Sequence, residues 1–410
     1  MRLLHKILAG VAATAATAVL AAGPALADPP SGTTPKATDI VGVGSDTIQY
    51  LLDQLSVNYN AGKAKTAPHL YSFDATGTAN IQSKSGSANC KMTRPDGSSA
   101  GIAALEANAM DGSHFCVDFA RSSRSRASTD PACAANGVCF IYLAGDAVTW
   151  SARSTAAGGT DAPASLTLTQ LKNIYLCKTT NWSQVGGKNA KIKPYLPQSA
   201  SGTRAFFLTA LGGGTTPITP GACVSDGATS QFPDGTIQEN EGQDAVLNSA
   251  QAIFPYSVAD YIAQGYHEAA CTSGCGGTVS DNPTCKPASN ENKFGCNETT
   301  TGPGKKPVLT LMKISGSAPA SPYPLPAEPT PPAINSKVHV NSKFTKAFQR
   351  FVFDVVRFGQ TGADPIPAYL QGVFGPTGYI CTNATGKKDI TNYGFLFLST
   401  LCGTPLNGTG

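Results

Sequence analysis

Three short turns in this chain share one chemistry: Gly44-Ser45-Asp46-Thr47, Arg121-Ser122-Ser123-Arg124 and Ser199-Ala200-Ser201-Gly202-Thr203-Arg204. Each offers hydroxyls and backbone N–H groups near an expected helix start. The first N–H groups of a helix lack internal partners and carry a partial positive charge, so they can hold an oxyanion without a dense cluster of lysines. Glycine lets the backbone approach closely, and Arg121, Arg124 or Arg204 would add a charge-assisted contact. The candidate ligand-binding residues are therefore Gly44, Ser45, Asp46, Thr47, Arg121, Ser122, Ser123, Ser199, Ser201, Gly202, Thr203 and Arg204. Any one such turn also serves simply as a helix cap.

The elements that must position these turns alternate between strand and helix. Asp39 to Gly44 is an apolar run ended by glycine and reads as a buried strand. Ile48, Leu51, Leu52, Leu55 and Tyr59 recur at helical spacing, with Ser45 or Asp46 as cap. Phe115 to Ala120 is expected as a second strand, and Cys139 to Trp150 as a longer apolar stretch interrupted by Gly145-Asp146. Leu171, Ile174 and Tyr175 mark a helix capped by Thr169; Lys191 to Leu196 suits an edge strand; Arg204 to Leu211 returns to helix. Phe344, Phe348, Phe351, Val352, Val355 and Val356 predict a further helix before Gly359. This alternation points to an α/β protein with mostly parallel sheets and ligands at the carboxyl ends of strands.

Composition excludes some functions. The net charge is only +4 and charged residues make up 14% of the chain, against about 25% in ordinary domains. The basic residues are scattered, so the footprint of a nucleic-acid binder is missing. Arg2 and Lys6 precede an apolar run from Ile7 to Leu20 and the small-residue site Ala25-Leu26-Ala27. That is the layout of a cleavable export signal over residues 1–27, and the run is too short to span a bilayer. The first cysteine is Cys90, so no lipid-modified cysteine follows the cleavage site and the mature protein is expected to be secreted.

Twelve cysteines in an oxidising compartment favour disulfides over free thiols or metal. Spacing suggests Cys133 with Cys139 and Cys381 with Cys402, and over longer loops Cys90 with Cys116 and Cys177 with Cys223, although spacing alone does not determine connectivity. Cys271, Cys275, Cys285 and Cys296 lack two close Cys-x-x-Cys pairs and are expected in a stapled surface insertion over about 271–304 rather than around zinc. No cofactor is expected. Trp150, Trp182, Tyr256 and Tyr261 are assigned to core and lobe packing.

At the level of motifs the chain resembles the bacterial phosphate-binding proteins that feed ABC transporters. Gly44-Ser45-Asp46-Thr47 looks like their opening turn, and Val117-Asp118-Phe119-Ala120-Arg121-Ser122-Ser123 like their second binding loop. Leu168 to Tyr175, Asn181-Trp182 and Val185-Gly186-Gly187 resemble a following helix and turn, and Ser201-Gly202-Thr203 the third, anion-contacting loop. Ala252 to Ser257 is similar to the stretch returning toward the first lobe, and Phe351 to Gln360 to a closing helix. The resemblance spans roughly 39–373 and implies a two-lobed periplasmic-binding-protein-like fold of type 2 with a ligand cleft between the lobes.

It also implies a solute-binding protein for phosphate or a related tetrahedral oxyanion, monomeric and working with an ABC permease. The expected organisation is signal peptide 1–27, linker 28–37, first lobe 38–145, second lobe 146–307, and a return to the first lobe over 308–410 with a proline-rich connector at 318–332. Two departures stand out: Pro197 and Ser199 occupy positions where the family carries an arginine and an aspartate, and Ser122 or Ser123 stands in place of an aspartate that accepts the anion's proton. Asp46 is the one acid in the three turns; it either caps the first helix or takes over that proton-accepting role. Rival readings are a secreted phosphate-ester hydrolase using Ser45 and Asp46, and a surface protein that keeps the fold without a ligand. The first lacks a G-x-S-x-G elbow, and His69, His114, His267 and His339 sit in no recognisable catalytic setting.

Overall fold

The computed structural model describes residues 28–29 and 33–406, apart from 87, 108, 135–136, 228–235, 243, 265–307, 327–336 and 360–364. The expected signal peptide, the whole of the Cys-rich insertion with Cys271, Cys275, Cys285 and Cys296, and part of the proline-rich connector lie outside the described residues. No helix among the described residues is long and apolar enough to cross a membrane.

One eight-stranded sheet organises the chain. Its strands are β1 (Ile40–Gly44), β2 (Leu70–Ser72), β3 (Phe119–Ser122), β4 (Val138–Arg153), β5 (Lys193–Pro194), β6 (Ala252–Ser257), β7 (Leu309–Leu311) and β8 (Gln349–Arg357). They run in the order β5-β6-β4-β8-β3-β1-β2, with β7 also on β4. The two ends are parallel, β5 on β6 and β3-β1-β2, while β6-β4-β8-β3 and the β7 pairing are antiparallel. The expectation of a mostly parallel sheet is thus corrected to a mixed one. The reason is that β4 and β8 cross the whole molecule side by side in opposite directions.

Where a helix is predicted over Phe344 to Val356, the chain makes a 3₁₀ turn at Lys346–Phe348 and then strand β8 from Gln349. Paired on both edges and buried along most of its length, the strand carries apolar residues on both faces, so helical spacing can be picked out of it by chance. Its Val and Phe residues suit a pleated, buried surface. Similarly, Cys139 to Trp150 is one uninterrupted strand through Gly145-Asp146, and the second expected strand begins later, at Phe119. Ala320–Ser321 in the proline-rich stretch pairs with His339–Val340 rather than forming a bare connector.

Helices α1 (Gln49–Asn60), α2 (Ser98–Glu106), α3 (Leu168–Tyr175), α4 (Gly202–Leu211), α5 (Val258–Ile262) and α6 (Ala368–Phe374) lie on the sheet and around its ends. The α3 helix is capped by Thr167 in a capping box with Gln170, not by Thr169. Alternate strand residues feed two cores: Ile40 and Ile141 join the larger, Val41, Val43 and Phe140 the smaller, on opposite faces of the sheet. Leu51, Leu52 and Leu55 anchor α1 in the larger core, each contributing about 1.5–3 kcal/mol by burial. Disulfides join Cys90 to Cys116, Cys133 to Cys139, Cys177 to Cys223 and Cys381 to Cys402, the four pairings that spacing suggested.

Helix α2 meets β1 through two glycines. A Cβ on Gly101 would lie 2.5 Å from the Gly44 Cα. Alanine is worth about 1 kcal/mol over glycine inside an exposed helix, but here the methyl group strikes backbone, and overpacking costs about 1–3 kcal/mol. Gly101→Ala is therefore expected to lower the urea midpoint of the disulfide-intact protein. Gly372→Ala in α6, where a Cβ meets nothing within 4 Å, should hold or raise it. Equal midpoints for the two variants would refute the contact.

Candidate functional site

The three turns converge, and what they converge on is a residue of the chain itself. Strand β1 ends at Gly44, whose φ of +115° and close approach to the Arg121 carbonyl, 2.7 Å from a would-be Cβ, require glycine. Ser45 and Thr47 follow in a short 3₁₀ turn, Asp46–Ile48, leading into α1. Strand β3 delivers Ser123, and the N-terminus of α4 delivers Ser201 and Thr203. At the centre lies the Glu239 carboxylate, fully buried.

Glu239 Oε1 accepts from Ser45 Oγ at 2.9 Å, the Thr47 amide at 3.1 Å, Thr47 Oγ1 at 2.6 Å and Ser123 Oγ at 3.4 Å. Oε2 accepts from the Thr203 amide at 3.0 Å and from the Ser201 hydroxyl. Gly202 makes this closeness possible, since a Cβ there would lie 2.3 Å from both Ser123 Oγ and Ser98 Oγ. Ser98 in turn orders the second turn by accepting from the Ser123 amide at 3.0 Å.

The cation of the site is Arg350, on β8. Its Nη2 donates to Thr203 Oγ1 at 3.0 Å and its Nη1 to the Ser123 carbonyl at 2.7 Å. Thr47 Oγ1 and Thr203 Oγ1 are 3.1 Å apart. Because the Thr47 hydroxyl proton is committed to Glu239, Thr203 is the donor of that pair, and a continuous chain runs from guanidinium through two hydroxyls to the carboxylate. Asp146, the register partner of Arg350 across β4 and β8, holds the guanidinium at 2.9 Å from Nε and 2.8 Å from Nη2.

Asp46 faces Glu239. Burial, then the charges of Glu239 and Asp96, push its pKa well above the ordinary aspartate value. Burial also pushes Glu239 upward, but hydrogen bonding with Asp46, the charge of Arg350 and the Ser201 and Thr47 hydroxyls outweigh it and bring Glu239 down to about 2. The two carboxyls thus share one proton, and Asp46 carries it. Asp46 Oδ2 accepts from Gln198 Nε2 at 3.0 Å.

The remaining candidates lie elsewhere. Arg121 is buried behind the first turn, where it donates to the Ser45 carbonyl at 2.8 Å, the Gly44 carbonyl at 3.0 Å and Ser72 Oγ at 2.5 Å. It shapes the turn rather than facing its concave side. Ser122 Oγ donates to the Arg124 carbonyl at 2.8 Å, and Arg124 pairs with Asp130 at 2.6 Å. Ser199 is exposed. Arg204 donates to the Pro197 carbonyl at 2.8 Å and faces Asp226 at 3.6 Å. Glu239, Arg350 and Asp146 were not legible as site residues: each is remote in sequence from the turns, and none sits in a Gly/Ser turn.

The depressed pKa of Glu239 has a sign that can be tested. A carboxyl lowered from 4.5 to about 2 contributes stability that is present above pH 4.5 and lost as pH falls through about 2, on the order of 3 kcal/mol in total. Glu239→Gln should therefore be less stable than wild type at pH 6, with the gap closing between about pH 4.5 and pH 2. Urea midpoints across that range measure it, and a gap independent of pH would place the proton elsewhere.

A family model described as a PBP superfamily domain matches residues 29–319. No curated protein matches the chain. Among solved structures, it is similar to an ABC-type phosphate transport receptor from Vibrio cholerae, at 16% identity over 88% of this chain and 100% of that one, with a TM-score of 0.46. It is also similar to a putative phosphate ABC transporter substrate-binding protein with bound phosphate from Clostridium perfringens, at 13% identity over 88% and 99%, with a TM-score of 0.47. With the family model matching well over half of its length, the chain belongs to the PBP superfamily.

Proposed function

We propose that this protein is an exported solute-binding protein whose three turns bind phosphate or a closely related tetrahedral oxyanion, for delivery to an ABC permease. The observation that carries this reading is a surplus of donors. Four hydroxyls and two backbone amides, drawn from three separate segments, point at one small volume, and four of them crowd onto a single carboxylate oxygen. A carboxylate offers about four lone-pair sites over two oxygens; a tetrahedral anion spreads the same donors over four. Arg350 adds one positive charge, already matched by Asp146, so the nest itself is close to neutral and works through oriented dipoles.

Asp46 supports phosphate over sulfate. Burial is the first cause of its raised pKa, so Asp46 meets a bound anion as a carboxylate only where the anion brings a proton to share between them, which monohydrogen phosphate does and sulfate does not. A hydrolase using Ser45 fits less well. Its hydroxyl donates to Glu239 and not to Asp46, the partner that reading requires, and a carboxylate with a pKa of about 2 is too weak a base to activate a serine at neutral pH.

Thermal unfolding with phosphate, sulfate and molybdate tests the reading. Phosphate at 100 times its dissociation constant should add about 2.7 kcal/mol. Ser201→Ala and Thr203→Ala should weaken its binding about ten- to a hundredfold in calorimetric titration, and Asp46→Asn should narrow the preference for phosphate over sulfate. If no anion moves the midpoint of the wild type or of a variant lacking the Glu239 carboxylate, the reading fails.

A further inference from the structure

The carboxylate in the nest belongs to the chain, and its donors are the ones assigned above to the ligand. Glu239, Ser45, Ser123 and Thr203 show no exposure, and Thr47 and Ser201 almost none. Glu239 and an oxyanion therefore require the same donors and the same space, and their like charges exclude joint occupancy. We propose that Glu239 is a built-in competitor for the oxyanion: ligand enters the nest only by exchanging with this side chain, so Glu239 sets the affinity and selectivity of the site. This rests on the oxyanion reading above and extends it.

The surrounding stretch is built for such an exchange. Residues 236–242 carry neither helix nor strand. Upstream, Ile237 is tied by its backbone, its amide to the Asp226 carbonyl at 2.8 Å and its carbonyl to the Gln198 amide at 2.9 Å. Downstream, the Asn240 carbonyl accepts from Gln264 Nε2 at 2.6 Å, and Asn240 Nδ2 donates to Tyr50 Oη at 3.3 Å. Glu239 thus sits at the apex of a turn held on both sides, closed by the Glu241 amide on the Gln238 carbonyl at 3.2 Å. Withdrawal of the carboxylate breaks its side-chain contacts without dismantling a secondary-structure element.

The tether also keeps the carboxylate permanently at hand, so a free anion competes with an intramolecular partner. Its apparent affinity is the intrinsic one reduced by the fraction of molecules with an open nest. Selectivity follows from the same competition. Ligands that satisfy no more donors than a carboxylate gain nothing by the exchange, whereas a tetrahedral anion reaches donors that crowd Glu239 Oε1.

The test is calorimetric titration of inorganic phosphate and of acetate into wild type and Glu239→Ala. Removing the competitor should raise phosphate affinity about tenfold or more, and acetate should bind the variant while leaving wild type untouched. Equal phosphate affinity in the two proteins overturns the competitor role and leaves the oxyanion site standing. Phosphate binding to neither, with both folded by circular dichroism, overturns the oxyanion site itself, and so does rescue of the variant by acetate alone. Should Glu239→Ala fail to fold, Glu239→Gln provides the phosphate arm of the comparison, because the neutral amide removes the like charge and holds the donors less strongly. Hydrogen exchange on wild type gives an independent arm: saturating phosphate should speed exchange at the Gln238 to Glu241 amides, and bound phosphate with unchanged exchange there refutes displacement.

Discussion

A carboxylate with no access to water must be met by donors or lose its charge, and the interior of this protein is arranged around meeting that requirement for Glu239. Six donors do so directly, and Arg350 does so through Thr203 and Thr47. The residues that supply these donors come from the end of β1, the end of β3, the start of α4 and the middle of the sheet. Each segment is thereby fixed against the others at one point. Beside it, burial and the Glu239 charge push the Asp46 pKa well up while Glu239 is held down, so the pair of acids favours a single negative charge in the core.

The frame that makes this possible is the antiparallel pair β4 and β8. Arg350 and Asp146 face each other in register across it, which places a buried ion pair at the middle of β4 and the start of β8. Asp146 serves a second purpose: its carboxylate accepts from Ser257 Oγ at 2.8 Å and from the Ala259 amide at 3.0 Å, so it also holds the start of α5. Losing one partner of such a pair would leave a buried charge uncompensated, the costly case for ion pairs inside proteins. The site's charge and the sheet's register therefore depend on the same two side chains.

Close backbone approach is the other constraint. Gly44, Gly101 and Gly202 occur where a methyl group would collide with backbone or with the Ser98 and Ser123 hydroxyls. Together they let α2, β1, β3 and the N-terminus of α4 come near enough for short hydroxyls to reach a common point. Serine and threonine have little reach, so a nest made of them tolerates little slack in the elements that carry them.

Much of the frame was legible in the sequence, because it is local. Spacing suggests the four disulfide pairings without determining them, while the buried strand ending in Gly44, the amphipathic α1 and the helix that begins at Ser201-Gly202-Thr203 follow from spacing and turn chemistry over a few tens of residues. So did Ser45, Thr47, Ser123, Ser201 and Thr203, whose turns announce unpaired donors. Strand β8 was misread because a strand buried on both faces has no alternation to show. Position along the chain points to Arg121, Arg124 or Arg204 as the cation, since sequence reveals proximity along the chain and not the direction of a guanidinium. Arg121 turned to the rear of the first turn and Arg350 took the front, an outcome decided by the register of β4 and β8. Glu239 has no sequence signal at all, being 36 residues or more from every donor it engages. The sequence alone determined which turns would present hydrogen-bond donors; only the tertiary structure decided which charges would meet them, because local chemistry creates a nest while long-range packing selects what is brought to it.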